Sequence, residues 1–198
     1  MTTKKGLREL ALIALLYDSG ARVQEIADLT VGDIRLVPAT VKLKGKGNKT
    51  RIIPIMGQTA KILGTYLKEY DLLGEESLDL PLFLNWHNRK LTRAGITHIL
   101  SKYVEIARRS QPKLFPKKVS PHLLRHSKAM HLLQANVNLI YIRDFLGHAS
   151  VTTTERYAKA DSEIKRKAIE KASYNFLSDK KYSSREKHEL LNWLKSII

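Results

Sequence analysis

The chain has 198 residues, 43% of them hydrophobic, and its 35 Lys and Arg against 19 Asp and Glu give a formal net charge of +16. This length and composition predict one large globular domain, or one domain with a helical tail. The lack of cysteine excludes disulfide bridges and thiolate metal sites, while the charge indicates a polyanion as partner, with a merely solvated basic surface as the alternative.

The first third of the chain changes from helical to strand periodicity. A helix is predicted over residues 6–18, with Leu10 on its buried face, followed by a break at Ser19-Gly20 and a short helix over residues 23–29. The apolar run at residues 10–16 is too short to span a bilayer, which needs about 20 residues. Alternating residues then predict an antiparallel hairpin with an edge position at Pro54; its strands are 41–43 and 51–55 and its loop is 45–49.

The remainder is mainly helical. Ser120 followed by Pro121 has the pattern of a helix start, and Gly147 that of a helix end. Helices are predicted at 58–70, 92–109, 121–134, 138–146, 151–158, 161–173 and, from a capping-box pattern, 183–198, with a short strand or extended segment at 82–86 and a loop at 111–119. The predicted fold class is mainly α with a small antiparallel β-sheet.

Several reaction classes lack their residues. Cysteine is absent, no Gly-x-Ser-x-Gly elbow or phosphate-binding P-loop occurs, and the acidic residues are few and scattered. His122 and His126 have the spacing of a helical zinc site, but Leu123 stands where a zinc protease needs its glutamate, so a structural role for one histidine stays open.

Cations and one tyrosine form a different candidate site. Cleavage of a phosphodiester needs positive charge around phosphorus, a nucleophile and groups that move protons. The residues that could supply these are Arg22, Lys46, His122, Arg125, His148 and Tyr157. Each taken alone has a plain structural explanation, such as a surface cation, a capping histidine or a packed tyrosine.

Taken together, these residues stand in motifs with a fixed order. The motifs are Ser-Gly-Ala-Arg22-Val-Gln-Glu25-Ile, Gly-Lys46-Gly-Asn-Lys, His122-x-x-Arg125-His, Leu-Gly-His148 and Tyr157. In order and spacing they resemble the tyrosine recombinase family, which includes phage integrases and bacterial chromosome-dimer resolvases. The resemblance runs from about residue 7 to 175 and implies the catalytic-domain fold of that family, with DNA strands cleaved and rejoined without metal, ATP or another cofactor.

The resemblance also implies a role for each residue. Arg22 and Arg125 would hold the non-bridging oxygens of the scissile phosphate, because a guanidinium donates two parallel charge-assisted hydrogen bonds. His148 would add a donor, and Tyr157 would attack phosphorus to form a 3′-phosphotyrosyl bond.

The resemblance assigns proton transfer and DNA contact to other residues. His122 would accept the tyrosine proton, because a phenol with a pKa of about 10 is a poor nucleophile near neutrality. Lys46 would protonate the leaving 5′-oxygen, and Glu25 would orient Arg22. Candidate DNA contacts in the loop predicted at 111–119 are Lys113, Lys117 and Lys118. A merely solvated loop would explain these lysines nearly as well.

The resemblance suggests a division of the chain into a catalytic domain at 1–178 and a C-terminal helix at 179–198, which packs in cis or on a neighbouring subunit. The N-terminal core-binding domain of the family is expected to be absent. Double-stranded DNA is the expected partner, bound by a homotetramer on two sites, with a monomer in solution and accessory proteins left open. A cytoplasmic, DNA-associated protein without a membrane segment is expected.

Two other functions remain open. A type IB topoisomerase would share the chemistry, although the Gly-Lys-Gly and Leu-Gly-His motifs favour a recombinase. A non-catalytic DNA-binding domain would have no use for Tyr157. For the leading function, Arg125→Ala is expected to abolish cleavage and to leave the fold intact.

Overall fold

The computed structural model describes residues 3–116, 118–148 and 154, and for Lys46 the backbone alone. In this part of the chain the elements run in the order α1 (Lys4–Ser19), α2 (Val23–Ala27), β1 (Ile34–Arg35), β2 (Thr40–Lys44), β3 (Thr50–Pro54), α3 (Gly57–Glu69), α4 (Arg93–Ser110), α5 (Pro121–Gln134) and α6 (Leu139–Leu146). Short 3-10 segments lie at Val31–Asp33, Lys46–Asn48, Glu75–Ser77 and Pro112–Leu114. The mainly helical fold with a small antiparallel sheet is therefore confirmed.

The sheet has three antiparallel strands in the order β1-β2-β3. The predicted hairpin is its β2–β3 part, in which Val41 pairs with Ile53 and Leu43 with Arg51. Pro54 lies on the edge strand β3, as predicted. Proline has no N–H to donate to a neighbouring strand, so it is tolerated on an edge strand rather than at a central position. The two-residue strand β1 was not predicted separately and adds a second edge.

Helix α1 lies at the centre of the core. Thr3 caps its start by accepting a hydrogen bond from the Gly6 amide at 3.1 Å, and Gly20 ends it with a φ of 55°. The prediction that Leu10 is buried is wrong: Leu10 is 46% exposed, whereas Leu12 is fully buried. The reason is that α1 packs against both α3 and α5, which moves the buried stripe around the helix.

The later helices begin and end where local chemistry predicts. Ser120 Oγ accepts from the Leu123 amide at 3.3 Å, which caps α5, and Pro121 takes its first position. Helix α6 ends at Gly147, which has a φ of 64°. The segment at 82–86 forms no regular strand and is not extended throughout, because Leu82 and Phe83 lie in a bend and Trp86 in a turn. Isolated bridges join Thr30 to Pro81 and Leu84 to Lys90.

Predicted elements beyond residue 148, including the C-terminal helix and the division at 178, lie outside the described residues, apart from the helical Thr154. In the portion that is described, no helix combines the length and the apolar character needed to cross a bilayer.

Candidate active site

Arg22 stands at the turn between α1 and α2, where Gly20 lets the backbone reverse. Its amide donates to Glu25 Oε2 at 2.8 Å and its Nη1 to Glu25 Oε1 at 3.0 Å. Its Nη2 donates to the carbonyl of Gly147 at 3.2 Å, 125 residues later. The side chain is 46% exposed, so a guanidinium held at two points still faces solvent.

Arg125, by contrast, is buried, with 3% of its surface exposed. From α5 its Nη1 donates to the Gly20 carbonyl at 2.7 Å and its Nη2 to the Leu146 carbonyl at 2.6 Å. The same guanidinium thus joins the α1–α2 turn to the end of α6. Since Gly147 accepts from Arg22 and the adjacent Leu146 accepts from Arg125, both arginines meet at one short stretch of backbone.

His148 directly follows that stretch. Its amide donates to the Arg143 carbonyl at 3.0 Å, and its Nδ1 lies 3.1 Å from Thr154 Oγ1. Partial burial, reinforced by the positive charges of Arg125, Arg22 and Arg51 and by His122, lowers the pKa of His148 to about 4. Near pH 7 the ring is therefore neutral and carries one N–H. In the tautomer with that proton on Nε2, Nδ1 accepts from the Thr154 hydroxyl and Nε2 is a hydrogen-bond donor.

Glu25 is buried beneath these cations and pairs with an arginine that the sequence analysis did not single out. Arg51 Nη1 and Nη2 donate to Glu25 Oε1 and Oε2 at 2.9 and 2.8 Å. Burial opposes ionisation of Glu25, but the hydrogen bonds from Arg51 and Arg22 outweigh it, and the pKa of Glu25 is lowered. The sequence held one signal for Arg51: it shares the two-residue phase of Ile53 and Ile55, which point inward.

A cavity of about 520 Å³ opens between these residues and the hairpin, lined by Arg22, Arg51, His148, Gly45 and Lys49 among others. Such a concentration of donors and positive charge suits an anion. Lys46 follows Gly45 in the 3-10 segment at the hairpin tip, between the two lining residues Gly45 and Lys49.

The other predicted site residues differ in position. His122 is exposed on α5, one turn before Arg125, and Lys113 and Lys118 are exposed in the loop that precedes α5. Tyr157 and Lys117 lie outside the described residues. Within the described ranges, no three His, Cys, Asp or Glu residues are grouped so that they could hold a metal ion.

Comparison with known proteins identifies the family. The model of the phage integrase family matches residues 1–163. The chain is 37% identical over 158 residues to tyrosine recombinase XerD of Staphylococcus haemolyticus, covering 79% of this chain and 52% of that protein. It is 36% identical over 168 residues to tyrosine recombinase XerC of Pelobacter propionicus, covering 84% of this chain and 52% of that protein. The chain therefore spans about half the length of these relatives.

Solved structures share the fold. The XerH site-specific recombinase, bound to a palindromic difH substrate after cleavage, has a TM-score of 0.70 at 29% identity, covering 85% of this chain and 47% of that one. The XerA recombinase has a TM-score of 0.69 at 24% identity, covering 87% of this chain and 59% of that one. With most of its length matched by the family model and its fold shared with these recombinases, the chain belongs to the phage integrase family of tyrosine recombinases.

Proposed function

We propose that the chain is the catalytic domain of a site-specific recombinase that cleaves and rejoins double-stranded DNA through a 3′-phosphotyrosyl intermediate. The observation that carries the proposal is the convergence of Arg22, Arg125 and His148. Residues far apart in sequence meet at the carbonyls of Leu146 and Gly147, beside a cavity that suits a phosphate. XerH, which shares this fold, was solved on its difH substrate.

In the proposed reaction the Tyr157 hydroxyl attacks phosphorus, and the bond from phosphorus to the 5′-oxygen breaks. The phenolic proton passes to His122, and Lys46 supplies a proton to the leaving 5′-oxygen. Arg22 and the neutral His148 bind the non-bridging oxygens, where negative charge grows in the transition state. A phosphodiester is exchanged for a phosphotyrosyl diester, so a 5′-hydroxyl from another strand reverses the step and completes the exchange.

The position of Arg125 fits a supporting as well as a binding role. Both of its donor nitrogens reach carbonyls of the segments that bear Arg22 and His148. A fixed positive charge held at these two segments stabilises a phosphate bound by Arg22 and His148 without any reorganisation.

For assembly we propose four protomers on two duplex sites, with the segment at 179–198 packing as a helix on a neighbouring subunit and residues 1–178 forming the catalytic domain. Lys113, Lys117 and Lys118 would contact DNA phosphates. Such contacts fix the position of a protein on DNA but carry no sequence information.

The test is covalent trapping. The protein is incubated with a pool of nicked duplexes of randomised sequence, and a denaturing gel shows whether protein stays joined to DNA. An adduct that is absent with Tyr157→Phe supports the proposal. No adduct from a chain that binds the pool would contradict it and leave DNA binding as the function, while relaxation of supercoiled plasmid without strand exchange would favour a topoisomerase.

A further inference from the structure

Arg51 is bound to two of the segments that form the candidate site and lies against a third. Its Nη1 and Nη2 hold both oxygens of Glu25, which itself holds the amide and Nη1 of Arg22. The position of the Arg22 guanidinium therefore depends, through one carboxylate, on where Arg51 lies.

The second attachment is to the end of α6. Arg51 Nε donates to the Phe145 carbonyl at 3.1 Å. The guanidinium also lies close against Gly147, because a Cβ built on Gly147 would stand 2.7 Å from Arg51 Nη1, 2.9 Å from Cζ and 3.1 Å from Nε. His148 follows immediately, so the turn from which its ring projects is fixed by the same side chain.

The hairpin that carries Lys46 packs on this ion pair. A Cβ built on Gly45 would lie 3.4 Å from Glu25 Oε1 and 3.7 Å from Arg51 Nη1, so the base of the hairpin stands directly against both charged groups. Arg51 is itself the cross-strand partner of Leu43 in that hairpin. Its side chain is 14% exposed, so most of it is buried although part of it lines the cavity.

We propose that Arg51 is a positioning residue that fixes the segments of Arg22, Lys46 and His148 relative to one another before DNA binds. The inference rests on the proposed function for the reaction that these residues serve. Its physical basis is the planar guanidinium, which donates in fixed directions to Glu25 and to the Phe145 carbonyl at once. A lysine ammonium keeps the charge but cannot reproduce that fork. Arg51→Lys therefore tests the geometry of the guanidinium, and Arg51→Met tests the loss of both charge and geometry.

The experiment compares Arg51→Met and Arg51→Lys with Arg35→Met, which removes the same charge from an exposed position on β1. The rate of adduct formation on the nicked-duplex pool should fall on the order of 100-fold in Arg51→Met and about tenfold in Arg51→Lys, because small misplacements of phosphate-binding groups are costly. DNA binding at low salt should stay within about threefold, and Arg35→Met should behave like the wild type.

A second measurement does not depend on cleavage. Inorganic phosphate is titrated into the full chain while the ring signals of His148 are followed by NMR, and Arg51→Met should weaken phosphate binding about tenfold although Arg22, Arg125 and His148 are all present. Adding Glu25→Gln to Arg51→Met removes a buried carboxylate that has lost Arg51 and keeps only Arg22 as its partner. The double variant should regain thermal stability without regaining the adduct rate, which a purely structural ion pair would not produce.

These measurements separate the two hypotheses. If the wild type forms no adduct, the proposed function fails, and the phosphate titration still decides the role of Arg51. A folded Arg51→Met protein with wild-type adduct rate and phosphate affinity would overturn the inference. If Arg51→Met does not fold, the same criterion applies to Arg51→Lys.

Discussion

Arg125 Nη1 donates to the carbonyl oxygen of Gly20 at 2.7 Å, across 105 residues of sequence. With a second bond to the Leu146 carbonyl, this proposed phosphate ligand is also a buried tie between two segments of the fold. The expectation that Arg125→Ala leaves the fold intact therefore needs revision, since two buried carbonyls would lose a charged donor.

We predict that Arg125→Ala lowers the free energy of unfolding by about 3 kcal/mol and also abolishes cleavage, because each buried acceptor left unsatisfied costs about 1–3 kcal/mol. Arg125→Lys should lose less stability and still cleave at least about 100-fold more slowly, because an ammonium lacks the fork. Urea denaturation and adduct gels provide the measurements. A wild-type denaturation curve for Arg125→Ala would contradict the anchoring role of these carbonyls.

The second prediction concerns His148. Its ring should titrate with a midpoint near 4 in the folded protein, because burial and then the charges of Arg125, Arg22 and Arg51 disfavour the imidazolium form. NMR of the ring protons between pH 3 and 8 measures the midpoint, with His148→Asn to assign the signals. A midpoint near the ordinary value of about 6.5 would contradict the described environment.

The sign of the effect on stability follows. Between about pH 6.5 and about pH 4 the unfolded chain binds a proton at His148 that the folded chain does not bind. The contribution of the neutral His148 to the free energy of unfolding is therefore fully present above about pH 6.5 and is lost as the pH falls towards 4. In His148→Asn that part of the pH dependence should disappear. Urea denaturation at pH 5 and pH 7 on both proteins checks this difference.

A third prediction uses two glycines with similar backbone conformations. Gly147 and Gly47 have φ of 64° and 73°, but a Cβ on Gly47 would meet nothing within 4 Å, whereas one on Gly147 would lie 2.7 Å from Arg51 Nη1. Gly47→Ala should cost about 1 kcal/mol for its backbone conformation alone, and Gly147→Ala about 1–3 kcal/mol more. Denaturation midpoints measure both. Equal losses would mean that Arg51 moves away freely, against its proposed role.

A fourth prediction concerns DNA affinity. With a net charge of +16, binding should weaken steeply with salt, because each phosphate contact releases counterions. Changing Lys113 and Lys118 to Gln should reduce the slope of log affinity against log salt by about 1.8, at about 0.9 per contact. Changing Lys61 and Lys68, exposed on α3, to Gln provides the matched control and should have a smaller effect. Fluorescence anisotropy over a salt series gives the slopes, and identical slopes for both pairs would count against contacts by the loop.

The sequence by itself determined what local chemistry controls. Ser120 and Pro121 begin a helix, Gly147 ends one, and the alternation around a glycine-rich loop makes a hairpin, because each signal acts within a few residues. Helical and two-residue periodicity predicted a mainly α fold with a small antiparallel sheet, and the order of motifs from Arg22 to Tyr157 predicted the family.

Only the tertiary structure decided which groups meet. It placed Leu12 rather than Leu10 in the core, because two packed helices choose the buried stripe of α1. It paired Arg51 with Glu25 across 26 residues and brought Arg22 to Gly147 across 125. Such contacts depend on the path of the whole chain, and no local periodicity encodes that path. A buried carboxylate needs a cationic partner, but the amino-acid sequence does not identify which of the many Lys and Arg side chains is that partner.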